Sequence, residues 1–259
     1  MNAKVCGVRD LPPGYREWQP PAALRLVVSC LWAQVTPDGA DRHGLVLPDA
    51  CTDLVWEQGR GAFVAGPDTG PVPIRMAAGT VVVGVRFRPA AGGPLLGVPL
   101  SELRDQRVDF ADLRSGDARR LPGTLDPDTA LARTLDVAGF LMTCGRGDPA
   151  VTRAVSLLRD PRARTEDVAA DVGLSLRQLR RRCHAAVGYG PKTLQRVLRF
   201  RRFVARIDAA HADLPGGRDG GDLAAIAAEA GYADQAHLTR ECGKLAGLTP
   251  AGLATQRRS

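Results

Sequence analysis

Two similar stretches of the chain decide its fold. Residues 168–183 read VAADVGLSLRQLRRRC, and residues 226–242 read IAAEAGYADQAHLTREC. Each is followed by a glycine five residues after its last cysteine and by a proline three residues further on. The copies are 58 residues apart before their turns, as from Gly173 to Gly231, and 59 apart afterwards. The second copy therefore has one extra residue in its turn.

Each copy predicts a helix-turn-helix unit. A short apolar helix leads to a glycine where the chain must turn with positive φ, and a capping residue then begins a second, outer helix. Ser175 starts the capping-box pattern S-x-x-Q with Gln178, and Asp234 is the corresponding cap in the second copy. Apolar residues four apart predict the buried side of each outer helix: Leu179 and Cys183, then Leu238 and Cys242.

The residues between these core positions must then face outwards. In the first copy they are Arg177, Gln178, Arg180, Arg181 and His184. In the second copy they are Gln235, Ala236, His237, Thr239 and Arg240.

Basic residues are concentrated in the half of the chain that contains the repeat. The net charge of +7 comes entirely from residues 148–259, which hold 19 Lys and Arg against 12 Asp and Glu, because residues 1–147 hold 16 of each kind. Ten Lys and Arg and no acidic residue lie between Asp171 and Asp208. A solvated face is the ordinary explanation of a charge run, but such a face normally mixes both signs. This placement favours a nucleic-acid partner more than the arginine content does, since a GC-rich genome alone enriches arginine.

Composition restricts the other possibilities. The chain has no apolar run near the ~18 residues of a membrane helix and no signal-peptide pattern, which predicts a cytoplasmic protein without a membrane partner. The six cysteines form no C-x-x-C pair and no cluster with histidine, so neither a metal site nor a cofactor is expected. They are Cys6, Cys30, Cys51, Cys144, Cys183 and Cys242.

The first part of the chain is typical of a β-rich domain. After a loop-like lead-in over residues 1–20, short β-branched or aromatic runs are separated by turn signals. The runs are residues 26–35, 44–47, 53–57, 62–65 and 80–88. They predict a small antiparallel sandwich or barrel of cupin-like type with flanking helices, and such a barrel can hold one small ligand. The carboxylates of Glu17, Asp41, Asp49 and Asp53 are expected to be solvated.

Helices are predicted from residue 99 onwards. Residues 99–104 resemble a helix start with proline in its first turn. Residues 127–144 have helical spacing, with Asp126 or Asp128 as cap, and this helix either packs on the sheet or pairs with a second subunit. Residues 145–149 form the expected linker. The fold class is therefore α+β, with domains over residues 1–147 and 148–259.

The two units are joined by a predicted helix that begins at Pro191. Its apolar positions extend to Ile207 and indicate about 17 residues, or roughly 26 Å. The opposite face carries arginines, of which about half are expected to be merely solvated: Arg196, Arg199, Arg201, Arg202 and Arg206. Residues 212–221 predict a Gly/Asp-rich loop.

Two helix-turn-helix units joined by one basic helix resemble the AraC/XylS family of bacterial transcription regulators. The resemblance covers roughly residues 150–256, and residues 226–242 with Gly247-Leu-Thr-Pro250 are its most specific part. It implies a DNA-binding regulator that contacts two successive major grooves of promoter DNA and works with RNA polymerase. The outer helices of the family usually carry phenylalanine where Cys183 and Cys242 stand.

The resemblance also implies roles for individual side chains. Base reading is expected from Arg177, Arg180, Arg181, Gln235, His237, Thr239 and Arg240. Phosphate contacts or positioning are expected from Ser175, Gln178, Arg182, His184, Lys192, Arg196, Arg199, Asp234 and Lys244.

Residues 1–115 resemble an uncharacterised sensor-type domain found fused to such DNA-binding halves in actinobacteria. This implies a small effector and a possible homodimer through the N-terminal domain. An effector site is expected near Cys30, Trp32, Cys51 and Trp56, although alternation along strands gives these residues an equal chance of being plain core.

Two other functions would need sequence features of their own. A cysteine that accepts alkyl groups, as in a DNA-repair methyltransferase built on a related DNA-binding half, would need a Pro-Cys-His-Arg stretch and a zinc-binding cysteine quartet, and the sequence has neither. An architectural DNA-binding protein would leave a domain of about 115 residues with zero net charge without an evident function. The sequence does not distinguish activation from repression.

Overall fold

A computed structural model describes residue 8, residues 11–213 and residues 223–258 of the chain. Cys6 and most of the predicted loop over residues 212–221 lie outside these ranges. No helix of the described residues is long and apolar enough to cross a membrane.

Eight strands build the N-terminal region. They are β1 (Gly14–Trp18), β2 (Val28–Val35), β3 (Arg42–Val46), β4 (Thr52–Glu57), β5 (Gly61–Ala65), β6 (Val72–Met76), β7 (Val81–Phe87) and β8 (Arg107–Asp109). Six form an antiparallel sheet in the order β1-β2-β7-β4-β5-β8, and β3 pairs with β6 in a separate two-stranded sheet. The five predicted runs correspond to β2, β3, β4, β5 and β7, and the β-rich prediction is confirmed.

Three strands were not predicted, and each has a physical reason. β1 lies inside the expected lead-in and pairs with β2 at the edge of the sheet. β6 contains Pro73, which is tolerated because a two-stranded sheet consists of edge strands. β8 has only three residues and is defined by its pairing with β5.

The larger sheet has two differently covered faces, because side chains alternate along each strand. One face packs against helices α1 (Gly92–Leu96) and α3 (Pro127–Cys144), and its core includes Leu31, Leu54, Trp56, Val64, Val83 and Leu141. The smaller sheet covers the other face, in a cluster that includes Trp32, Val55, Phe63, Ile74, Met76 and Val82. Of the two predicted alternatives for α3, the structure shows packing on the sheet, and Asp126 caps this helix by accepting from the Thr129 N–H at 3.0 Å.

The prediction that a helix starts at residue 99 is wrong. Residues 100–105 form turns, in which the Leu103 N–H donates to the Leu100 carbonyl at 3.2 Å. Asp105 has φ +58°, in the left-handed region that ends a right-handed helix. Further on, α2 (Phe110–Ala118) precedes α3.

The C-terminal region is entirely helical among its described residues. Its helices are α4 (Pro149–Leu157), α5 (Thr165–Asp171), α6 (Leu176–Val187), α7 (Pro191–Asp213), α8 (Leu223–Ala230), α9 (Gln235–Ala246) and α10 (Pro250–Arg258). They share one core, so the predicted α+β class with an all-helical C-terminal part is confirmed. Asp148 lies within the predicted linker and caps α4 by accepting from the Ala150 N–H at 3.0 Å.

The joining helix α7 is longer than predicted. It has 23 residues and so spans roughly 35 Å at ~1.5 Å per residue. Apolar periodicity stops at Ile207, but the residues that follow include alanines and no proline or glycine before Asp213. Alanine is the strongest helix former, so the helix continues without a buried stripe.

Candidate nucleic-acid interface

The first helix-turn-helix unit is built by α5, a tight turn and α6. Gly173 has φ +68°, which glycine adopts without steric cost. The Ser175 hydroxyl accepts from the Gln178 N–H at 3.3 Å, and the Gln178 side chain accepts from the Ser175 N–H at 2.8 Å. Both partners of the predicted capping box are thus present, and they fix the first turn of α6.

The second unit repeats this construction with α8 and α9. Gly231 has φ +92°, and the Asp234 carboxylate accepts from the His237 N–H at 2.6 Å. The extra residue of the second copy lies in this turn, where Tyr232 is buried and packs edge-on against the His237 ring at 5.2 Å between centroids.

The buried sides of α6 and α9 are those predicted. Leu179, Cys183 and Cys242 are fully buried and Leu238 is 2% exposed. The opposite sides carry the side chains expected to read bases, of which the exposed ones are Arg177, Arg180, Arg181, Gln235, Thr239 and Arg240. His237 is half-buried, and the Thr239 hydroxyl donates to the Gln235 carbonyl at 2.9 Å. Base reading by these residues stays a prediction.

Several residues expected to contact phosphates are engaged inside the protein. Arg182 lies 3.3 Å from the Asp148 carboxylate, and the Arg196 Nε lies 2.9 Å from the Glu241 carboxylate, which is only 8% exposed. Arg199 is half-buried and its guanidinium lies 5.8 Å from the centre of the Tyr232 ring. These contacts hold helices together. Ser175, Gln178 and Asp234 position the outer helices through their caps.

Other cations remain exposed beside α6. A cleft of about 680 Å³ is bounded by α6, the start of α7, the end of α9 and a loop of the N-terminal region. Its basic lining residues are Arg104, Arg180, His184, Lys192, Arg196 and Lys244. Among the described residues, no carboxylate lies within 4 Å of a side-chain nitrogen of Arg180, His184, Lys192 or Lys244. These four groups are therefore available to an anionic partner.

The structure separates the residues expected near an effector. Trp32 lies on the face covered by the smaller sheet, whereas Trp56 is fully buried on the helix-covered face and donates to the Pro122 carbonyl at 2.9 Å. Cys30 is two residues before Trp32 in β2, and Cys51 is buried just before β4. The structure brings Cys30 and Trp32 to one face but not Trp56.

A partly buried ionic cluster beside Trp32 was missed. The Arg86 Nε lies 3.1 Å from Asp53 and 3.3 Å from Asp49, and its Nη1 lies 3.2 Å from Glu17. The expectation of solvation is wrong for Asp49 and Asp53, whose side chains are 25% and 14% exposed because they lie close to Arg86, whereas the Glu17 side chain is 46% exposed, as expected. Asp41 instead pairs with Arg75 at 2.6 Å on the smaller sheet.

Burial changes the acidity of Asp53. Desolvation, partly offset by the positive charge of Arg86, raises the pKa of Asp53 to about 6. Its Oδ1 also accepts from the Trp32 indole N–H at 2.7 Å. Gly84 is the sequence signal that could have located this site, because glycine within a strand marks a close approach. A methyl group added at Gly84 would lie 2.3 Å from Cε2 of Trp32.

Three of the buried cysteines are not arranged for nucleophilic chemistry. Burial raises the pKa of the Cys30, Cys183 and Cys242 thiols to about 12, and reactive cysteines need the opposite shift. Among the described residues, no group of three or more His, Cys, Asp or Glu side chains could hold a metal ion.

Comparisons with known proteins match two separate parts of the chain to two family models. Residues 16–109 match the model of a domain of unknown function (DUF6597), and residues 168–256 match that of a helix-turn-helix domain. Neither model indicates an enzyme family. No curated protein sequence matches the chain.

Solved structures of ToxT from Vibrio cholerae are similar at 10% sequence identity. An apo lysine-to-alanine variant gives a TM-score of 0.47, with 87% of this chain and 97% of that chain covered. ToxT from strain O395 gives 0.45, with 86% and 95% covered, and unsaturated fatty acid bound wild-type ToxT gives 0.43, with 92% and 96% covered. A likeness at this level does not establish a shared ligand.

The repeat, the two capped outer helices and the matching family models agree with the resemblance drawn from the sequence. The chain carries an AraC-type double helix-turn-helix domain at its C-terminal end and a domain of the DUF6597 family in its N-terminal part.

Proposed function

We propose that this AraC-type DNA-binding regulator contacts two successive major grooves of double-stranded promoter DNA through α6 and α9. The observation that carries the proposal is the exposure of Arg181 and Arg240, which occupy matching positions of the repeat 59 residues apart. Side chains on the exposed face of an inserted helix distinguish base pairs in the major groove.

The two outer helices offer different chemistry to the bases. The α6 face presents Arg177, Arg180 and Arg181, and arginine pairs best with guanine. The α9 face presents Gln235, which pairs best with adenine, and Arg240. We therefore expect a G-rich first half-site and a second half-site of mixed composition.

The spacing and the charge of the C-terminal domain also support this function. The α7 helix of roughly 35 Å matches the ~34 Å repeat of the major groove. The exposed cations beside α6 can neutralise phosphates, which gives sequence-independent affinity in the range of ~10⁻⁴ to 10⁻⁶ M at physiological salt.

A substitution test separates base reading from phosphate contact. DNA selected from a genomic pool supplies the site, and affinities of Arg181→Ala and Arg240→Ala are then measured on single-base variants of that site at several salt concentrations. A base-reading arginine loses ~1 to 3 kcal/mol at one base position, whereas a phosphate contact weakens all sequences equally and makes the salt slope shallower by about 1.

The matched control is Arg133→Ala, which removes the same charge from the exposed side of α3 and should leave DNA affinity unchanged. If neither Arg181→Ala nor Arg240→Ala alters base preference, base reading by this pair is excluded. If half a helical turn inserted between the half-sites leaves affinity unchanged, the two-groove arrangement is excluded.

We further propose that the N-terminal domain, over residues 1–147, binds a small effector near Trp32. The support is the half-buried indole of Trp32 beside a partly buried ionic cluster, in a region whose net charge is zero. Cytoplasmic location, contact with RNA polymerase and a homodimer through this domain stay predictions.

A further inference from the structure

One loop of the N-terminal region touches both helix-turn-helix units. Residues 67–71, here called the strap, connect β5 to β6. Pro67 packs on Gly188, the residue that ends α6 with φ +92°. A methyl group added at Gly188 would lie 2.5 Å from Cγ of Pro67.

The other end of the strap meets the second unit at the corresponding place. A methyl group added at Gly247, which ends α9 with φ +67°, would lie 3.6 Å from Cγ of Pro71. One added at Gly70 would lie 3.7 Å from the Lys244 carbonyl oxygen. Gly188 and Gly247 are equivalent in the repeat, 59 residues apart. The strap therefore spans the matching ends of both outer helices.

The strap is held firmly by its own domain. Asp68 is 6% exposed, and its two carboxylate oxygens accept from Arg107 at 2.8 and 2.7 Å. The Asp105 carboxylate accepts from the Thr69 N–H at 2.6 Å, and the Asp105 N–H donates to the Pro67 carbonyl at 3.2 Å.

A direct hydrogen bond also joins this region to the first outer helix. The Leu100 N–H donates to the Ala185 carbonyl in the last turn of α6 at 2.7 Å. Carbonyls in the last turn of a helix have no partner within the helix, so this bond satisfies one of them and ties α6 to the N-terminal domain.

We infer that the strap sets the separation between α6 and α9, so that Pro67 and Pro71 determine which half-site spacing the chain accepts. The inference rests on the proposed binding to two grooves. Proline fixes φ, and a short segment with one proline at each end and an anchored centre is a stiff spacer. Without it, α7 and its contacts alone would hold the two units, and their separation would vary more.

The test compares full-length proteins on duplexes whose two half-sites are separated by a spacer varied in one-base-pair steps. The strap variant carries Pro67→Ala and Pro71→Ala together, and the control carries Pro37→Ala in an exposed loop of the same domain. A spacer changed by one base pair should raise the Kd of the wild-type protein by a certain factor. In the strap variant this factor should be roughly tenfold smaller, which corresponds to about 1.4 kcal/mol. The control should keep the wild-type profile.

A second pair of variants separates an effect on the strap from a general loss of stability. Gly188→Ala strains a left-handed residue and also pushes on Pro67, whereas Gly173→Ala strains a left-handed residue that has no neighbour within 4 Å of the added methyl. Only Gly188→Ala should change the spacing profile.

The outcomes distinguish the inference from the function on which it rests. If wild-type protein shows no dependence on spacing, the two-groove function fails. If wild-type protein depends on spacing but Gly188→Ala and the strap variant, where folded, keep its profile, the strap has no role and α7 alone sets the separation.

Discussion

At the scale of single residues, Arg181 in α6 and Arg196 in α7 have different surroundings. Arg181 is exposed, whereas Arg196 neutralises Glu241, whose side chain is 8% exposed. Both were expected to contact DNA, and only their surroundings in the folded chain separate them.

Arg196→Ala should destabilise the protein more than it weakens DNA binding. Removing the guanidinium leaves a buried carboxylate without its partner, which costs about 1–3 kcal/mol. Chemical denaturation of Arg196→Ala and Arg181→Ala measures this difference. Equal stability of the two variants would contradict a structural role for the Arg196–Glu241 pair.

The raised pKa of Asp53 predicts a pH-dependent contribution to stability. The folded pKa of about 6 lies above the unfolded value of ~3.9, so the folded state binds more protons between these values. Stability contributed by protonated Asp53 is present below pH ~4 and is lost as the pH rises to about 6.

Asp53→Asn should remove this dependence while the side-chain oxygen can still accept from Trp32. As the pH rises from 4 to 6.5, the unfolding midpoint of the wild-type protein should fall relative to that of Asp53→Asn. Parallel profiles would show that Asp53 does not titrate in this window. Asp41→Asn is the matched control. The hydrogen bond and ion pair with Arg75 lower the pKa of Asp41, so its contribution to stability should be lost as the pH falls, opposite to that of Asp53.

At the scale of elements, the glycines in the turns of the two units differ in the space available for a side chain. A methyl group at Gly173 meets open space, whereas one at Gly231 would lie 2.4 Å from Cβ of Pro161. Left-handed backbone costs a non-glycine residue roughly 1–2 kcal/mol, and overpacking adds about 1–3 kcal/mol.

Gly231→Ala should therefore lower the free energy of unfolding by more than Gly173→Ala. Denaturant titration of both variants measures the two losses, and Gly173→Ala serves as the control for backbone strain alone. Equal losses would mean that Pro161 does not restrict the second turn.

At the scale of the whole molecule, the strap continues directly into β6, which belongs to the small sheet covering Trp32. An effector held against Trp32 would therefore bind next to the element that reaches both outer helices. We therefore expect that binding of a proposed effector would affect DNA binding through this one continuous segment.

A ligand of the N-terminal domain should change both Trp32 fluorescence and DNA affinity in the full-length protein. Titration with small-molecule classes, each followed by emission and by DNA binding, measures the two effects together. Trp32→Phe should abolish the emission response, and Trp56→Phe, on the opposite face of the sheet, should preserve it. A ligand that alters DNA affinity but leaves the Trp32 emission unchanged would place the effector elsewhere.

The sequence by itself determined the two helix-turn-helix units, their caps and the buried sides of α6 and α9. These features depend on residues within about one helical turn of each other, such as Ser175 and Gln178, so local spacing is sufficient to predict them. The strands β2, β4 and β7 were predictable for the same reason, since their β-branched composition is local.

Only the tertiary structure decided which residues from distant parts of the chain are in contact. Arg196 and Glu241, Arg86 and Asp53, and Pro67 and Gly188 are pairs that lie 45, 33 and 121 positions apart in the chain. Such contacts arise from packing between elements, and periodicity within an element carries no information about them. The short strands β1, β6 and β8 were missed for that reason too, because pairing with a distant partner defines an edge strand more than its own residues do.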